Sequence, residues 1–239
     1  MNKNIQKFFD IPIDKNALIS SVTFEICESI EDKRIFRNVM NKHHSYMKYK
    51  DTCNRRINWL VYESESGNLI GALGINSAIL AINPRDKFIG WNKTTRLKNL
   101  NKIANNYRFC LIKNNITIDN AGSIVLRSLR KYSRIEWKKK YGDELVLLET
   151  LVKNQWSGSV YLADNWKYVG MTKGFSFSKA PLKLWQQENS ERGRLARENP
   201  KEAIERYAVG RKQYDIKESD PKKIFVIPLI KNWKEILVK

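Results

Sequence analysis

Residues 59–91 read WLVYESESGNLIGALGINSAILAINPRDKFIGW and decide the fold. Two apolar runs, residues 59–62 and 69–75, flank a charged break that contains Gly67. Two such runs joined by a short polar segment predict a β-hairpin. The apolar pattern then continues to residues 84–86, Pro-Arg-Asp, which we interpret as a turn before a further apolar segment.

Charged side chains interrupt this apolar context at two places. Arg85 and Asp86 lie between two hydrophobic segments, where they form either a structural ion pair or part of a site. The run LVLLETLV, residues 145–152, contains a single carboxylate, Glu149. A carboxylate in such a strand requires a partner or a cleft, because burying it unpaired is costly. Arg85, Arg108 or a bound metal ion are the candidate partners.

Composition bounds the class of protein. The chain has 239 residues and is 42% hydrophobic, which is enough for a folded domain with a core of its own. Lys and Arg number 44 against 25 Asp and Glu, so the net charge is +19. A charge of this size predicts a polyanionic partner, although a Lys- and Asn-rich composition contributes to it.

Neither a membrane segment nor a disulfide framework is indicated. No apolar run approaches the roughly 18 to 20 residues of a membrane span, and the first ten residues lack the apolar segment of a signal peptide. Cys27, Cys53 and Cys110 are far apart in the sequence, so we expect small buried side chains in a reducing cytoplasm.

The two histidines of the chain are adjacent. Residues 31–46 have the apolar spacing of an amphipathic helix, which we expect to end at His43 and His44. Neighbouring helical positions point about 100° apart, so the two rings cannot both face one small site. Either one of them is functional, or both have capping or surface roles.

Basic residues concentrate in the middle of the chain. We predict helices over residues 94–105 and 120–134 and a strand over residues 107–112. Between Arg96 and Gly142 there are twelve Lys or Arg and two acids, interleaved with aromatic residues. This mixture is typical of nucleic-acid-binding surfaces, but also of a solvated helix face with core aromatics. The predicted phosphate contacts are Arg96, Lys98, Lys102, Arg127, Arg130, Lys131, Arg134, Lys138, Lys139 and Lys140.

The last third of the chain contains three different kinds of segment. Residues 158–177 form a turn-and-strand block, residues 183–206 a charged helical stretch interrupted by Gly193 and Pro200, and residues 224–229 a late strand. We therefore predict one core domain, residues 1–178 plus 220–239, and a charged helical insertion, residues 179–219.

The order of these elements is similar to that of the GNAT N-acetyltransferase fold, an α/β (α+β) architecture with a mixed twisted sheet flanked by helices. The resemblance implies that cofactor phosphates would sit at residues 119–122. The family's loop is Arg/Gln-x-x-Gly-x-Gly/Ala, and this chain has Asn120-Ala121-Gly122-Ser123 there. Missing glycines restrict close backbone approach, so we do not expect acetyl-CoA to bind.

A second resemblance covers residues 40–178 and 221–238. The chain resembles a prokaryotic family that includes the Druantia anti-phage protein DruA and relatives associated with mobile elements. The matching residues are His43-His44, Gly71-Ala72-Leu73-Gly74, Ser77-Ala78, Arg85-Asp86, Ile89-Gly90-Trp91, Asn106, Arg108-Phe109, Leu148-Glu149-Thr150, Asn165-Trp166, Gly170, Thr172 and Gly174. The resemblance implies a role in defence or mobile-element biology, acting on nucleic acid beside other subunits.

Three functions follow as hypotheses. The first, which we favour, is a nucleic-acid-binding protein, with DNA preferred over RNA. The second is a metal-dependent nuclease or strand-transfer enzyme, in which Asp86 and Glu149, with His43 or His44, bind Mg²⁺. The third is transfer of an acyl group from coenzyme A, with Glu149 as the base and Tyr161 or Tyr168 as the acid.

Overall fold

The computed structural model describes residues 21–44, 49, 55–177, 186, 188–207 and 216–239. The strands are β1 (Val22–Ile26), β2 (Arg56–Glu63), β3 (Leu69–Ser77), β4 (Ile103–Leu111), β5 (Leu147–Lys153), β6 (Lys167–Met171), β7 (Phe175–Phe177), β8 (Ile216–Glu218) and β9 (Lys222–Pro228). The helices are α1 (Ile30–His43), α2 (Asn83–Ile89), α3 (Lys93–Asn99), α4 (Ala121–Tyr141), α5 (Ser159–Ala163), α6 (Glu191–Glu198), α7 (Pro200–Tyr207) and α8 (Trp233–Val238). Short 3₁₀ turns cover Leu100–Lys102 and Lys113–Asn115.

Seven strands form one mixed sheet in the order β1-β2-β3-β4-β5-β9-β6. Strands β1 to β4 are an antiparallel meander, and β5 then pairs parallel to β4. The hairpin predicted for residues 59–75 is confirmed as β2 and β3. The predicted α/β class with a GNAT-like mixed sheet is therefore confirmed.

Side chains alternate between the two faces of the sheet, because successive residues of a strand point to opposite sides. On β2, Trp59 and Val61 pack in the cluster that contains the buried face of α4. Leu60, between them, packs instead with Phe36 of α1. Helices therefore cover both faces of the sheet, which explains why β2 and β3 are apolar almost throughout.

Residues 84–86 are not the predicted turn but lie in α2. Pro84 falls in the first turn of this helix, where its missing N–H costs no hydrogen bond. The helix ends at Gly90, whose φ of 92° is the left-handed conformation common after a helix. The Pro-Arg-Asp sequence thus begins a short helix.

The helix predicted for residues 94–105 is wrong in its second half. Helix α3 ends at Asn99, and β4 begins at Ile103, where Ile103 and Ala104 pair with Leu147 and Leu148 of β5. Ile103 and Ala104 are buried, so pairing inside the sheet overrides the local helical preference.

The chain divides into two compact units. The first comprises Met1–Val152, Trp156–Gly170 and Lys223–Lys239, and the second comprises Lys153–Gln155 and Met171–Lys222. Within the second unit β7 pairs antiparallel with β8, and the helices are α6 and α7. The division into residues 1–178 plus 220–239 and an insertion of residues 179–219 stays a prediction.

Within the described part of the chain no helix is both long and apolar enough to cross a membrane. Cys27 and Cys110 are buried free thiols, and Cys53 lies outside the described residues. Burial, with a smaller effect of Asp32, raises the pKa of the Cys27 thiol to about 12, and burial raises that of Cys110 to about 11. Both thiols are therefore unreactive at neutral pH.

Candidate functional site

A cleft opens where β4 and β5 separate. The two strands pair over three residues of each, ending at Asn105 and Glu149. Beyond this point lies a cavity of about 250 Å³, lined in part by Asn106, Phe109, Thr150 and Tyr161. Parallel strands that part in this way leave backbone groups at the edges of the gap, which an extended ligand can pair with.

Three polar side chains meet in the wall of this cleft. The hydroxyl of Tyr161, on α5, donates to Oδ1 of Asn106 at 2.9 Å. The hydroxyl of Thr150 donates to the backbone oxygen of Asn106 at 2.9 Å and lies 3.4 Å from the Tyr161 hydroxyl. The cleft therefore contains a positioned phenol whose proton has a defined acceptor.

Asn106 also holds an irregularity in β4. The pairing of β3 with β4 skips Tyr107, because Gly74 pairs with Arg108 and Ile75 with Asn106. The Asn106 side-chain amide donates to the backbone oxygens of Gly74 and Arg108, at 3.0 and 2.9 Å. It thus bridges a β-bulge, a device that redirects a strand beside a site.

Aromatic rings fix the position of Tyr161. Its ring stacks on Phe225 of β9 at 5.9 Å between centroids, and Trp166 packs edge-on at 5.1 Å. Gly158, which precedes α5 with φ of 77°, lies so close to Phe225 that an added Cβ would be 2.5 Å from its ring. The loop before α5 therefore requires glycine at this position.

The N-terminus of α4 does not offer an open glycine. Asn120 has left-handed φ and ψ of 55° and 25°, and no side chain caps the helix. A Cβ on Gly122 would lie 2.5 Å from Cγ2 of Val160, so α5 already fills the space beside this glycine. The residues at this helix end therefore do not fit a closely approaching diphosphate.

The predicted catalytic carboxylates, Asp86 and Glu149, meet through Arg85. Its Nε donates to Oδ1 of Asp86 at 2.8 Å and its Nη1 to Oε2 of Glu149 at 2.6 Å. Arg96 completes the network with a 2.9 Å contact to Oδ2 of Asp86. Two guanidinium groups thus neutralise two carboxylates, as the ion-pair interpretation predicts.

Glu149 faces away from the cleft. Thr150, the next residue, lines the cleft, and adjacent residues of a strand point to opposite faces. Glu149 has no exposed surface, and Ile79 donates its N–H to Oε1 at 2.9 Å. Burial raises the pKa of Glu149, and the charge of Arg85 acts against this rise.

Metal binding gains no support among the described residues, in which no three His, Cys, Asp or Glu side chains are grouped as ligands. Arg85 occupies the position between Asp86 and Glu149 that the predicted metal ion would need. His43 is the exposed last residue of α1, and His44 caps that helix through its N–H to Met40. Neither histidine lines the cleft. The catalytic roles of these residues stay predictions.

Most of the predicted phosphate contacts have partners inside the protein. Arg96 pairs with Asp86, Arg130 with Asp164 at 2.7 Å, and Lys138 with Glu144 at 2.5 Å. Other side chains donate to oxygen atoms of the chain, namely Lys98 to Lys239, Lys102 to Asn99 and Lys140 to Arg56. Lys139 is exposed. Arg127, Lys131 and Arg134 line an open groove along α4.

The motif residues that carry the family resemblance mostly have structural roles. Trp91 donates from Nε1 to the backbone oxygen of Leu237, and Trp166 donates to Oδ2 of Asp164 at 3.1 Å. Arg108 donates to the oxygen of Tyr107, whose ring lies beneath the guanidinium. Asn165 has a left-handed φ of 63°. Sequence reasoning missed Thr150 and Val160 as cleft residues, because only the separation of β4 and β5 brings them to it.

Comparison with known proteins shows the family of this chain and a set of solved structures that it resembles. The family model described as Druantia protein DruA matches residues 1–239. No curated protein matches. A mutant of spermidine N-acetyltransferase SpeG from Vibrio cholerae is 12% identical, over 90% of this chain and 96% of that one, with a TM-score of 0.47. A Bacillus subtilis acetyltransferase in complex with CoA is 10% identical, over 87% and 99%, with a TM-score of 0.43. The Escherichia coli ribosomal-protein-S18-alanine N-acetyltransferase is 7% identical, over 88% and 95%, with a TM-score of 0.44.

These findings correct the favoured functional hypothesis. The proteins that the chain resembles in structure are acetyltransferases. The intramolecular pairs of Arg96, Arg130 and Lys138 also reduce the charge available to phosphates. The prediction of a DNA-binding protein is therefore wrong, the metal-dependent nuclease gains no support, and the acyl-transfer alternative fits better.

Proposed function

This chain belongs to the Druantia protein DruA family, and from that premise we propose that it is an acyltransferase of an anti-phage defence system. It transfers an acyl group from a thioester to an amine. The observation that carries the proposal is the cleft between β4 and β5, in which the Tyr161 hydroxyl is held by Asn106 beside Thr150.

The cleft suits a thioester on a narrow, amide-containing arm. The edges of β4 and β5 offer backbone groups beyond Asn105 and Glu149, so an extended arm can bind between them like an added strand. Phe109 and Tyr161 supply apolar surface along the same cavity. The sulfur and carbonyl carbon of the thioester would then lie beside the hydroxyl of Tyr161.

The reaction exchanges one bond for another. The lone pair of a neutral amine attacks the thioester carbonyl carbon, a C–N bond forms, and the C–S bond breaks. The amine nitrogen releases one proton to water. The O–H of Tyr161 turns from Oδ1 of Asn106 to the leaving sulfur and gives it one proton, and water then reprotonates the phenolate. Asn106 and Thr150 orient that hydroxyl, and proton donation of this kind contributes about 10²- to 10⁴-fold to a rate.

Glu149, which the sequence suggests as the general base, has no part in this scheme. Its carboxylate is engaged by Arg85 and Ile79 and faces the other side of the sheet from Thr150. The amine therefore enters already neutral. We also propose that other subunits of the defence system act beside this chain.

The test measures thiol release from acyl thioesters by the purified chain, with polyamines, amino acids and peptides as amine acceptors. Tyr161→Phe removes the proton donor and keeps the ring that packs on Phe225. We expect it to lower kcat by about 100-fold, within the range for general acid catalysis.

The matched control is Tyr168→Phe, which removes a hydroxyl that does not line the cleft. The Tyr168 ring also packs on Phe225, but it is half-exposed. We expect its kcat to stay within about twofold of the unchanged chain, since surface changes usually have small effects. Absence of thiol release with every thioester, or equal rates for the two variants, would refute the proposal.

A further inference from the structure

We propose that the acyl group reaches the cleft on an acidic helical carrier protein, which bears the thioester on a phosphopantetheine arm and docks on a basic groove of α4. The basic groove is lined by the cations Arg127, Arg130, Lys131, Arg134 and Lys138. This inference rests on the acyl transfer proposed above and names the form in which the donor arrives.

The filled space beside Gly122, at the N-terminus of α4, argues against free coenzyme A as the main donor. Coenzyme A carries a diphosphate, which binds most readily where glycine lets backbone N–H groups approach it. At Gly122 that space is taken by Val160, which an added Cβ would meet at 2.5 Å. A carrier protein removes this requirement, because its arm has one phosphate and the protein partner supplies further contacts.

The basic groove has the dimensions of a helix-binding surface. Arg127, Lys131, Arg134 and Lys138 are spaced by four, three and four residues, so they form one stripe along α4. From the first to the last of them the helix rises about 16 Å, which is three turns. The whole groove has a volume of about 580 Å³. An acidic helix of three turns has the length of this stripe and the opposite charge.

Three of the four cations in the stripe form no ion pair with a described carboxylate. Among the described residues no carboxylate forms an ion pair with Arg127, Lys131 or Arg134, whereas Arg130 and Lys138 are paired with Asp164 and Glu144. These three cations have no direct ion pair there, although the charge of Arg127 acts to lower the pKa of Asp164 and that of Arg134 acts to lower the pKa of Glu144. Bringing acidic side chains to them would accelerate association and fix its orientation.

The apolar part of the groove favours a protein over a nucleic acid. Ile135 is 51% exposed, and Leu145 and Leu229 also line the groove. Among the described lining residues none is aromatic, so no ring is available to stack on a base. A helix with an aliphatic side chain between its acids matches both kinds of surface.

Helix α5 connects the groove to the cleft. Val160 and Tyr161 line the cleft, and Asp164, directly after α5, pairs with Arg130 of the groove at 2.7 Å. Asp164 lies four positions after Val160, which is about one helical turn, or about 6 Å along the helix axis. An arm from a carrier docked on the groove therefore has a short path into the cleft.

The first experiment measures binding of a labelled, acidic holo acyl carrier protein by fluorescence polarisation at low salt. Lys131→Glu combined with Arg134→Glu should weaken binding by about tenfold or more, because it replaces two attractions by two repulsions. Lys139→Glu, an exposed change on the same helix outside the groove, should alter it by no more than about twofold. Binding should also weaken as salt is added.

The second experiment compares acyl-carrier protein with acyl-coenzyme A and a short acyl-cysteamine thioester as donors. We expect kcat/KM to be highest for the carrier, by about tenfold over coenzyme A, and the double variant to remove that advantage. The same variant should leave kcat with the short thioester unchanged, since that donor does not reach the groove.

Each outcome separates the inference from the proposed function. Equal kcat/KM for the carrier and coenzyme A, insensitive to the double variant, overturns the carrier while acyl transfer stands. Carrier binding that depends on the groove, without thiol release from any donor, overturns acyl transfer and the donor role together, leaving only a docking surface. Duplex DNA that binds the groove while the carrier does not overturns the inference.

Discussion

Arg85 donates from Nη1 to Oε2 of Glu149 at 2.6 Å, and neither side chain has exposed surface. The same guanidinium donates to Asp86 and to the backbone oxygen of Ile79, at 2.8 and 3.0 Å. One buried cation thus ties α2, β5 and the segment after β3 together. Such a network contributes to the position of these elements rather than to the chemistry in the cleft.

We expect Glu149→Gln to lower the free energy of unfolding by about 3 kcal/mol, because it leaves part of the Arg85 charge buried without its partner. Arg85→Met should cost a similar amount. The double variant should cost less than the sum of the two, since neither charge is then unpaired. Urea unfolding followed by fluorescence measures all three, and additive losses would contradict the ion-pair assignment.

A second prediction concerns the contact that closes the N-terminus of α4. Gly122→Ala places a methyl group 2.5 Å from Cγ2 of Val160. We expect a loss of about 1–3 kcal/mol, typical of overpacking in a tight contact. Val160→Ala should restore most of it in the double variant, although alone it removes apolar contacts and destabilises.

Val160→Ala also tests whether the acyl donor is coenzyme A or a carrier protein. Val160→Ala opens the space beside Gly122, so coenzyme A should compete with the acyl-carrier protein better than it does with the unchanged chain. Inhibition of carrier-dependent thiol release by coenzyme A measures this effect.

The stability of the double variant provides the control for the Gly122→Ala prediction. If the stability lost in Gly122→Ala were still lost in the double variant, the contact with Val160 would not be its cause.

Glu63 provides a prediction about pH. Hydrogen bonds from Ser66, and then from Thr117, hold the pKa of its carboxyl below the ordinary value of 4.5. The unfolded chain therefore takes up a proton at higher pH than the folded chain. The stability that ionised Glu63 contributes is present above pH 4.5 and is lost as the pH falls through the lower, folded-state pKa.

Glu63→Gln should therefore flatten the acid side of the stability curve. The difference in free energy of unfolding between the unchanged chain and the variant should be largest above pH 4.5 and should shrink at lower pH. Thr23→Val, a change of an exposed uncharged residue on the neighbouring strand β1, is the control and should keep the slope, because it adds or removes no titrating group. A difference that grew on acidification would have the wrong sign and would reject the assignment.

Local sequence patterns predicted much of the sheet. The hairpin of β2 and β3, the strand containing Glu149 and the helix after residue 120 all depend on apolar spacing, which is written within each segment. The boundary between α3 and β4 was not predictable in this way. Ile103 and Ala104 are strand residues because Leu147 and Leu148, more than forty positions later, pair with them.

The candidate site was less accessible to sequence reasoning. The sequence predicts Tyr161 or Tyr168 as the acid, and only the hydrogen bond of Tyr161 to Asn106 separates the two. Glu149 was a plausible base until the strand alternation placed it opposite Thr150. The +19 charge indicated a polyanion, but the sequence does not show which cations are paired to Asp86, Asp164 and Glu144.

Strand β9 lies between β5 and β6, although it follows both in the chain. During synthesis the β1–β4 meander can form from neighbouring segments, whereas β6 has no place in the sheet until residues 222–228 have left the ribosome. Phe225, which supports the ring of Tyr161, arrives with that same segment. A nascent or prematurely terminated chain therefore lacks an assembled cleft, and the proposed acyl transfer requires translation to have passed β9.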